Sequence, residues 1–442
     1  MSENARATLS RFVSAYGMLA VLVLLCVYFS WATYHEESAT GPEAAQGVAR
    51  VIVASGKRPS VVVVAPASDA GFGQDLAAAL KQQGIPVVGT LQGGPPEVRE
   101  GLEALSKSGR RIDMVAAPES CASWTVFDAL RKQVSSLANL EVVTPTTQGR
   151  SAFLSPSNLR NVADQIAVIA LMAVGMTLVI VTAGIDLSVG SLLALSAVVT
   201  AWFIHAWGGT SASTGAMLAA SLIAIAMSGL VGGFSGLMIT TFDIPPFIAT
   251  LAMMQVASGL AFLVARGQSI YDLPDSFTWL GRGTGVAALP NAALLMVAVY
   301  IVAHLVMMRT TFGRHIYAVG GGPEAARLSG LRTKRLLMQV YLLSGVMAGV
   351  GGVVTASQLK AGAPTYGQSY ELYVIAAVVV GGTSLSGGEG RILGTLIGAF
   401  TIAVIRNGMN LMNVEPYTQK VVLGLVILAA VLLDRMKRRW WR

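Results

Sequence analysis

The stretch Met172-Ala-Val-Gly-Met-Thr-Leu-Val-Ile-Val-Thr-Ala-Gly-Ile-Asp-Leu-Ser-Val-Gly-Ser-Leu-Leu-Ala-Leu195 reads as two apolar segments joined by a polar dip. The dip, Thr182-Ala183-Gly184-Ile185-Asp186-Leu187-Ser188, places a glycine, two hydroxyls and a carboxylate between runs of Leu, Ile, Val and Ala. Such runs predict membrane helices. Irregular backbone at membrane depth is tolerated only where protein or a water-filled cavity satisfies its N–H and C=O groups. The sharpest residue is Asp186, because a carboxylate inside a membrane segment marks function by default. Its plainer reading is a cap, at the membrane–water boundary, for the helix beginning near Ser188.

Outward from this pair, apolar runs near 12–31, 163–183, 188–206, 215–240, 245–265, 289–308, 336–357, 371–382, 392–411 and 418–433 give about ten spans, of which 371–382 is short. Composition agrees: the chain is 54% hydrophobic, only 12% charged, and carries 48 glycines. A soluble domain has about a quarter charged residues, and small residues let helices approach closely in lipid. The first run ends in Tyr28, Phe29, Trp31 and Tyr34, an interfacial aromatic belt rather than a small-residue cleavage site, so a retained helix is expected. Cys26 and Cys121 make no disulfide framework and are expected to be free.

Charge separates the chain into two kinds of sequence. Between Ala32 and Arg150 stand 11 Lys/Arg and 12 Asp/Glu, so that segment carries −1 of the net +8; the remaining residues carry +9. The positive excess therefore belongs to the membrane part and points to orientation rather than to nucleic-acid binding. Ten spans with the N-terminus inside put two basic stretches in the cytoplasm. One is the loop 309–335, with Arg309, Arg314, Arg327, Arg332, Lys334 and Arg335 against Glu324; the other is the tail, with Arg435, Lys437, Arg438, Arg439 and Arg442. The outside loop near 266–288 balances Arg266 and Arg282 with Asp272 and Asp275, while the inside loop 240–246 has Asp243 without a basic residue.

The same parity puts residues 32–150 outside, in the periplasm of a Gram-negative cell. There, apolar runs at Val61–Val64, Ile85–Thr90, Ile112–Ala116 and Leu140–Val143 read as strands. They alternate with helical stretches at Gly73–Gln83, Pro95–Lys107 and near Trp124–Leu137, a pattern that predicts a small parallel sheet with helices on its faces. Its first turn, Ala67–Gly73, lacks the G-x-G-x-x-G spacing of a dinucleotide site and reads as a plain strand-to-helix turn.

Three blocks carry a family resemblance: Met172–Leu195, Ile316–Leu331, and Tyr370–Gly398 with Asn407-Gly408-Met409-Asn410-Leu411 behind it. In this order they closely resemble the membrane permease subunit of ribose-type (monosaccharide) ABC importers, over about 1–31 and 153–436. The chain departs from that pattern by about 120 residues after the first helix, an insert that looks like part of one lobe of a periplasmic sugar-binding protein without any specific motif. The resemblance implies a non-enzymatic transport subunit without a cofactor. Its partners would be an ABC ATPase subunit, a periplasmic sugar-binding protein, membrane lipid and a second permease copy, as a homodimer or a paralogue heterodimer.

The resemblance also assigns candidate roles. In the family a short cytoplasmic helix docks into a cleft on the ATPase. Here Gly320-Gly321-Gly322-Pro323 breaks structure, and Gly322, Pro323, Glu324, Ala325, Ala326, Arg327, Leu328, Ser329 and Gly330 form the coupling candidate. Its plainer reading is a basic loop that only sets orientation. Parity puts the first dip near the cytoplasmic face, so Gly184, Asp186 and Ser188 read as gate structure ahead of sugar contact. A second dip, Gly381–Gly390, echoes the first and nominates Thr383 and Ser384 as pathway or gate elements. Asn407 and Asn410 share a helical face; amides suit sugar hydroxyls, although membrane asparagines more often bridge helices. Leu385-Ser386-Gly387-Gly388-Glu389 mimics the ABC ATPase signature, but no G-x-x-x-x-G-K-[ST] occurs, so ATP hydrolysis is expected on another chain. His205, His304 and His315 have no metal-ligand spacing. No catalytic residue, metal site or nucleic-acid partner is expected.

The expected fold is therefore an α-helical polytopic protein of the bacterial inner membrane, with about ten transmembrane helices, both termini cytoplasmic, and a small α/β soluble domain inserted between helices 1 and 2. Its parts are a first helix at 1–31, a periplasmic α/β insert at 32–150, a permease core at 151–436 and a basic tail at 437–442. Two alternatives compete. An ion-coupled secondary transporter would need titratable residues at the midplane, which the spans hardly offer. A membrane receptor would use the outside domain to sense a ligand.

Overall fold

The computed structural model describes residues 3–38, 41–55, 58–66, 69–122, 124–145, 147–285 and 289–440. Ala67 and Ser68 of the first insert turn, the last residues of the 266–288 loop and Arg442 of the tail lie outside them. In chain order the elements begin with α1 (Glu3–Ala32), β1 (Tyr34–Ser38), α2 (Gly41–Ala54), β2 (Val61–Ala65), α3 (Ala70–Gln82), β3 (Val87–Gln92), α4 (Pro95–Lys107), β4 (Met114–Ala116), α5 (Glu119–Ala122), α6 (Thr125–Gln133), β5 (Glu141–Val143) and β6 (Thr147–Ser151). There follow α7 (Pro156–Val181), α8 (Val189–Ala206), α9 (Thr214–Thr241), α10 (Pro246–Val264), α11 (Trp279–Arg282), α12 (Asn291–Arg309), α13 (Thr311–Gly321), α14 (Pro323–Leu328), α15 (Thr333–Leu359), α16 (Tyr370–Val380), α17 (Ile392–Leu411) and α18 (Pro416–Trp440). They form two units, residues 34–151 and the rest.

In the larger unit, α7, α8, α9, α10, α12, α15 and α17 are long and apolar enough to cross a membrane. Three further expected spans appear as shorter apolar helices among the described residues: Gly17–Ala32, Tyr370–Val380 and Pro416–Leu432. The centre is α7, 89% of whose apolar window is buried, against 22% for α10. Long helix α15 packs on α7, α8 and α9, and glycine spacing sets how closely. Ser228, Gly232 and Gly236 face Tyr341, Gly345 and Gly349; a Cβ on Gly232 would collide with the Tyr341 carbonyl, and one on Gly345 with the Ser228 carbonyl. With apolar chains equally content in lipid, such backbone approach is what fastens membrane helices together.

Two of the long helices are followed by irregular backbone and then a helix that begins inside the bundle. Residues 182–188 turn back from α7 and start α8; residues 360–369 turn back from α15 and start the short α16. The second segment descends alongside α8. Near its top Gly362 exchanges backbone hydrogen bonds of 2.9 Å with Ile270 and packs on Ala197 and Val198, and lower down Gly367 meets the Gly190 carbonyl. The 11 residues of α16 rise about 16 Å, half of a hydrocarbon core.

The smaller unit holds a parallel four-stranded sheet, order β3-β2-β4-β5. Val61 to Ala65 are buried on both faces: Val61 and Val63 pack under α2 and α3, and Val62 and Val64 under α4 and α6. This is why the central strand reads as a continuous β-branched run. Ser60 N–H donates to the Asp113 carboxylate at 2.9 Å and ties the β2 and β4 entries together; that bond holds the Asp113 carboxyl below its ordinary value. Two elements were not expected: helix α2, and the antiparallel pair of β1 with β6, Tyr34 opposite Ser151.

Candidate functional site

The first dip runs inward from the end of α7. Asp186 is fully buried, and its carboxylate accepts from Ser188 N–H at 3.0 Å, Ser188 Oγ at 2.6 Å and Ser344 Oγ at 2.7 Å. Ser344 is the twelfth of the 27 residues of α15, so the carboxylate lies close to that helix's midpoint. Residues 182–188 run from the end of α7 back into the bundle before α8 starts. The plain cap reading changes. Ser188 is the N-cap and makes no side-chain cap bond, while Asp186 holds the N-cap residue's amide and hydroxyl from two positions upstream. Gly184 closes the same corner, since a side chain there would strike the Tyr341 hydroxyl.

The three sequence blocks meet in space. The Gly388 N–H donates to the Val181 carbonyl at the end of α7, 2.8 Å away. A Cβ on Gly320 would collide with that carbonyl and stand 2.6 Å from Gly388 N; one on Gly387 would stand 2.8 Å from Gly320 O and 2.9 Å from the Ala183 Cβ. The Tyr317 hydroxyl donates to Gly390 O at 2.7 Å. The first dip, the second dip and the end of α13 are thus one glycine-lined backbone junction. Because Gly320 is buried there, the expected break at Gly320-Gly321 is not seen: both residues complete α13, and only Gly322, extended at φ −178°, separates it from α14.

Helix α14 hangs directly from this junction. Ala326 is buried, Leu328 is 83% exposed, and Glu324 pairs with Arg327 at 3.0 Å on the outer surface. Ser329 Oγ bonds to Ala325 O, and Gly330, at φ +85°, ends the turn. In the second dip Thr383 and Ser384 are buried. Ser384 Oγ accepts from Ser386 N–H at 3.1 Å, whereas Thr383 Oγ1 has no hydrogen-bond partner among the described residues.

Asn407 and Asn410 are not brought together. The buried amide of Asn407 makes a reciprocal pair with Asn158 of α7, at 2.8 and 3.0 Å, and Asn158 also donates to Phe153 O. Asn410 is exposed and accepts from Gln419 at 2.8 Å. Between them Gly408 lies under the Phe29 ring of α1.

Two features escaped the sequence reading. One is the polar segment 360–369, between the expected spans 336–357 and 371–382, whose mixed composition carries no periodicity. The other is Arg406, inside α17, whose guanidinium stands 5.5 Å from the centroid of the Tyr373 ring; a lone arginine within an apolar run was the available signal.

A helical bundle with long apolar spans, interrupted helices and an exposed short helix on a glycine junction defines a polytopic membrane permease. Residues 158–431 match the family model described as branched-chain amino acid transport system / permease component, and the chain belongs to that family. It is 43% identical to the ribose import permease of Bacillus subtilis over 288 residues, 65% of this chain and 87% of that one. It is 40% identical to the ribose import permease of Escherichia coli over 313 residues, 70% and 95% of the two chains. It is 35% identical to the D-allose transport system permease of Escherichia coli over 284 residues, 64% and 85%. No solved structure matches it.

Proposed function

We propose that this chain is the membrane permease of an ABC importer that carries a ribose-like monosaccharide across the bacterial inner membrane. The observation that carries the reading is the match, over nearly the whole helical unit, to permeases named for ribose, allose and arabinose. A separate ABC ATPase supplies the energy and docks on α14, a periplasmic sugar-binding protein delivers the substrate, and a second permease copy completes the path. The exposed Leu328 beside the Glu324–Arg327 pair suits a cleft on such an ATPase, and the junction at Gly320 gives α14 a rigid mount from which its displacement reaches both dips. The basic loop 309–335 and basic tail favour cytoplasmic termini, with residues 34–151 outside. Neither alternative mechanism is favoured by these relatives.

Purification in mild detergent tests this. An ATPase chain and a soluble sugar-binding protein are expected to accompany the permease, and Leu328→Asp is expected to release the ATPase while the permease remains at its normal level in the membrane. A preparation without any ATPase overturns the reading.

A further inference from the structure

Residues 365–371 present polar groups where a membrane helix presents apolar ones. Thr365, Gln368 and Ser369 are exposed and Glu371 is half-buried, yet they sit inside the bundle's span. Gly367 and Glu371 both abut Gly190, the second residue of α8; a Cβ on Gly190 would stand 2.5 Å from Glu371 Oε2. That end of α8 lies near the middle of α15. Ser188, at the α8 N-cap, shares the Asp186 carboxylate with Ser344, and one turn further on Ser228, which faces the same stretch of α15, donates to Leu192 O. Hydrocarbon cannot satisfy an amide, two hydroxyls, a carboxylate and turn backbone at that depth, so this surface faces water, a bound polar ligand or a second protein surface rather than lipid.

Resting on the importer reading above, we infer that Thr365, Gln368, Ser369 and Glu371 form the contact point for the sugar within the membrane, halfway along the path. The chemistry fits a monosaccharide. A carboxylate can accept from two neighbouring hydroxyls, an amide both donates and accepts, and serine and threonine do either. All four come from one turn and the start of one helix, so a pyranose or furanose ring can engage several at once, and none needs a titrating partner. The first dip is excluded from this role, because the hydrogen bonds of Asp186 are already taken by Ser188 and Ser344.

The test uses cells whose single copy of this permease is altered, with uptake of labelled D-ribose, D-allose and L-arabinose as the readout. Gln368→Ala and Glu371→Gln are each expected to raise the half-saturation concentration or cut uptake by about tenfold, while the permease still reaches the membrane with its ATPase. In a background with Cys26 and Cys121 replaced by alanine, Gln368→Cys is expected to react with a charged, water-soluble thiol reagent and to be protected by the transported sugar. Unchanged uptake in both variants overturns the inference, as does a Gln368→Cys thiol that is unreactive or unprotected, or that instead forms a disulfide with a second copy. If the unaltered permease takes up none of the three sugars, the importer reading fails first, which separates the two failures.

Discussion

The two units of this chain hold together by opposite means. In the smaller unit the information lies in large side chains: Val61 to Val64 bury branched side chains on both faces of a parallel sheet, and the helices supply Phe72, Leu76, Leu102 and Leu130 against them. In the helical unit apolar side chains are everywhere and therefore specify little, since lipid accommodates them as well as protein does. There the decisive residues are those with least side chain, at which backbones touch. A core of the first kind tolerates a change of side-chain volume with graded loss; a contact of the second kind fails when a single Cβ is added.

The largest effect expected from that contrast is at the glycine junction. Gly320→Val places a side chain against the Val181 carbonyl and Gly388 and should abolish sugar uptake, whereas Gly259→Ala, with open space at its Cβ, should leave both uptake and detergent stability near wild type. Equal tolerance at both positions would break the comparison. Next comes the buried carboxylate. Asp186→Ala leaves two serine hydroxyls and an amide without their acceptor and should cost about 2–4 kcal/mol of stability, read as a lower unfolding midpoint in detergent. Ser344→Ala removes one of the three bonds and should cost less.

A smaller loss is expected at the amide pair. Asn407→Ala should destabilise by about 1 kcal/mol, the range measured for bonds between membrane helices, with sugar affinity unchanged; a selective loss of affinity would instead place Asn407 on the path. Least of all should come from excision of residues 34–151. Ala152 N–H donates to Thr33 O at 3.1 Å, and Phe153 N–H to Thr33 Oγ1 at 3.1 Å, both within the helical unit. The chain thus leaves and re-enters at one point, and a short glycine–serine turn there should give a permease that still inserts and resists heat equally. Whether external delivery of sugar survives the excision tests a docking role for the insert.

Much of this was legible from local pattern. The strand at Val61–Val64 and helix Pro95–Lys107 were visible because burial on both faces of a sheet, or a proline-led amphipathic turn, writes itself into adjacent residues. Helix α2 went unassigned because Gly41, Pro42 and Gly47 interrupt its pattern, although Val48–Ala54 is apolar apart from Arg50. The segment 360–369 was missed because hydropathy reports composition averaged over a window, and a turn that re-enters the bundle averages to the same value as one that leaves it.

The sequence alone determined that this is a many-span membrane protein, and its ordered motif blocks determined the family. Both are properties of composition and of contiguous residues, to which each position contributes independently. Only tertiary structure decided that Asp186 lies near the middle of α15, that two polar dips and the end of α13 are a single junction, and that Asn407 belongs to Asn158 rather than to Asn410. Those are contacts between residues as far apart as 158 and 407. Which of many equally apolar neighbours a membrane helix meets is settled by where glycine lets two backbones approach, and that requires both partners at once.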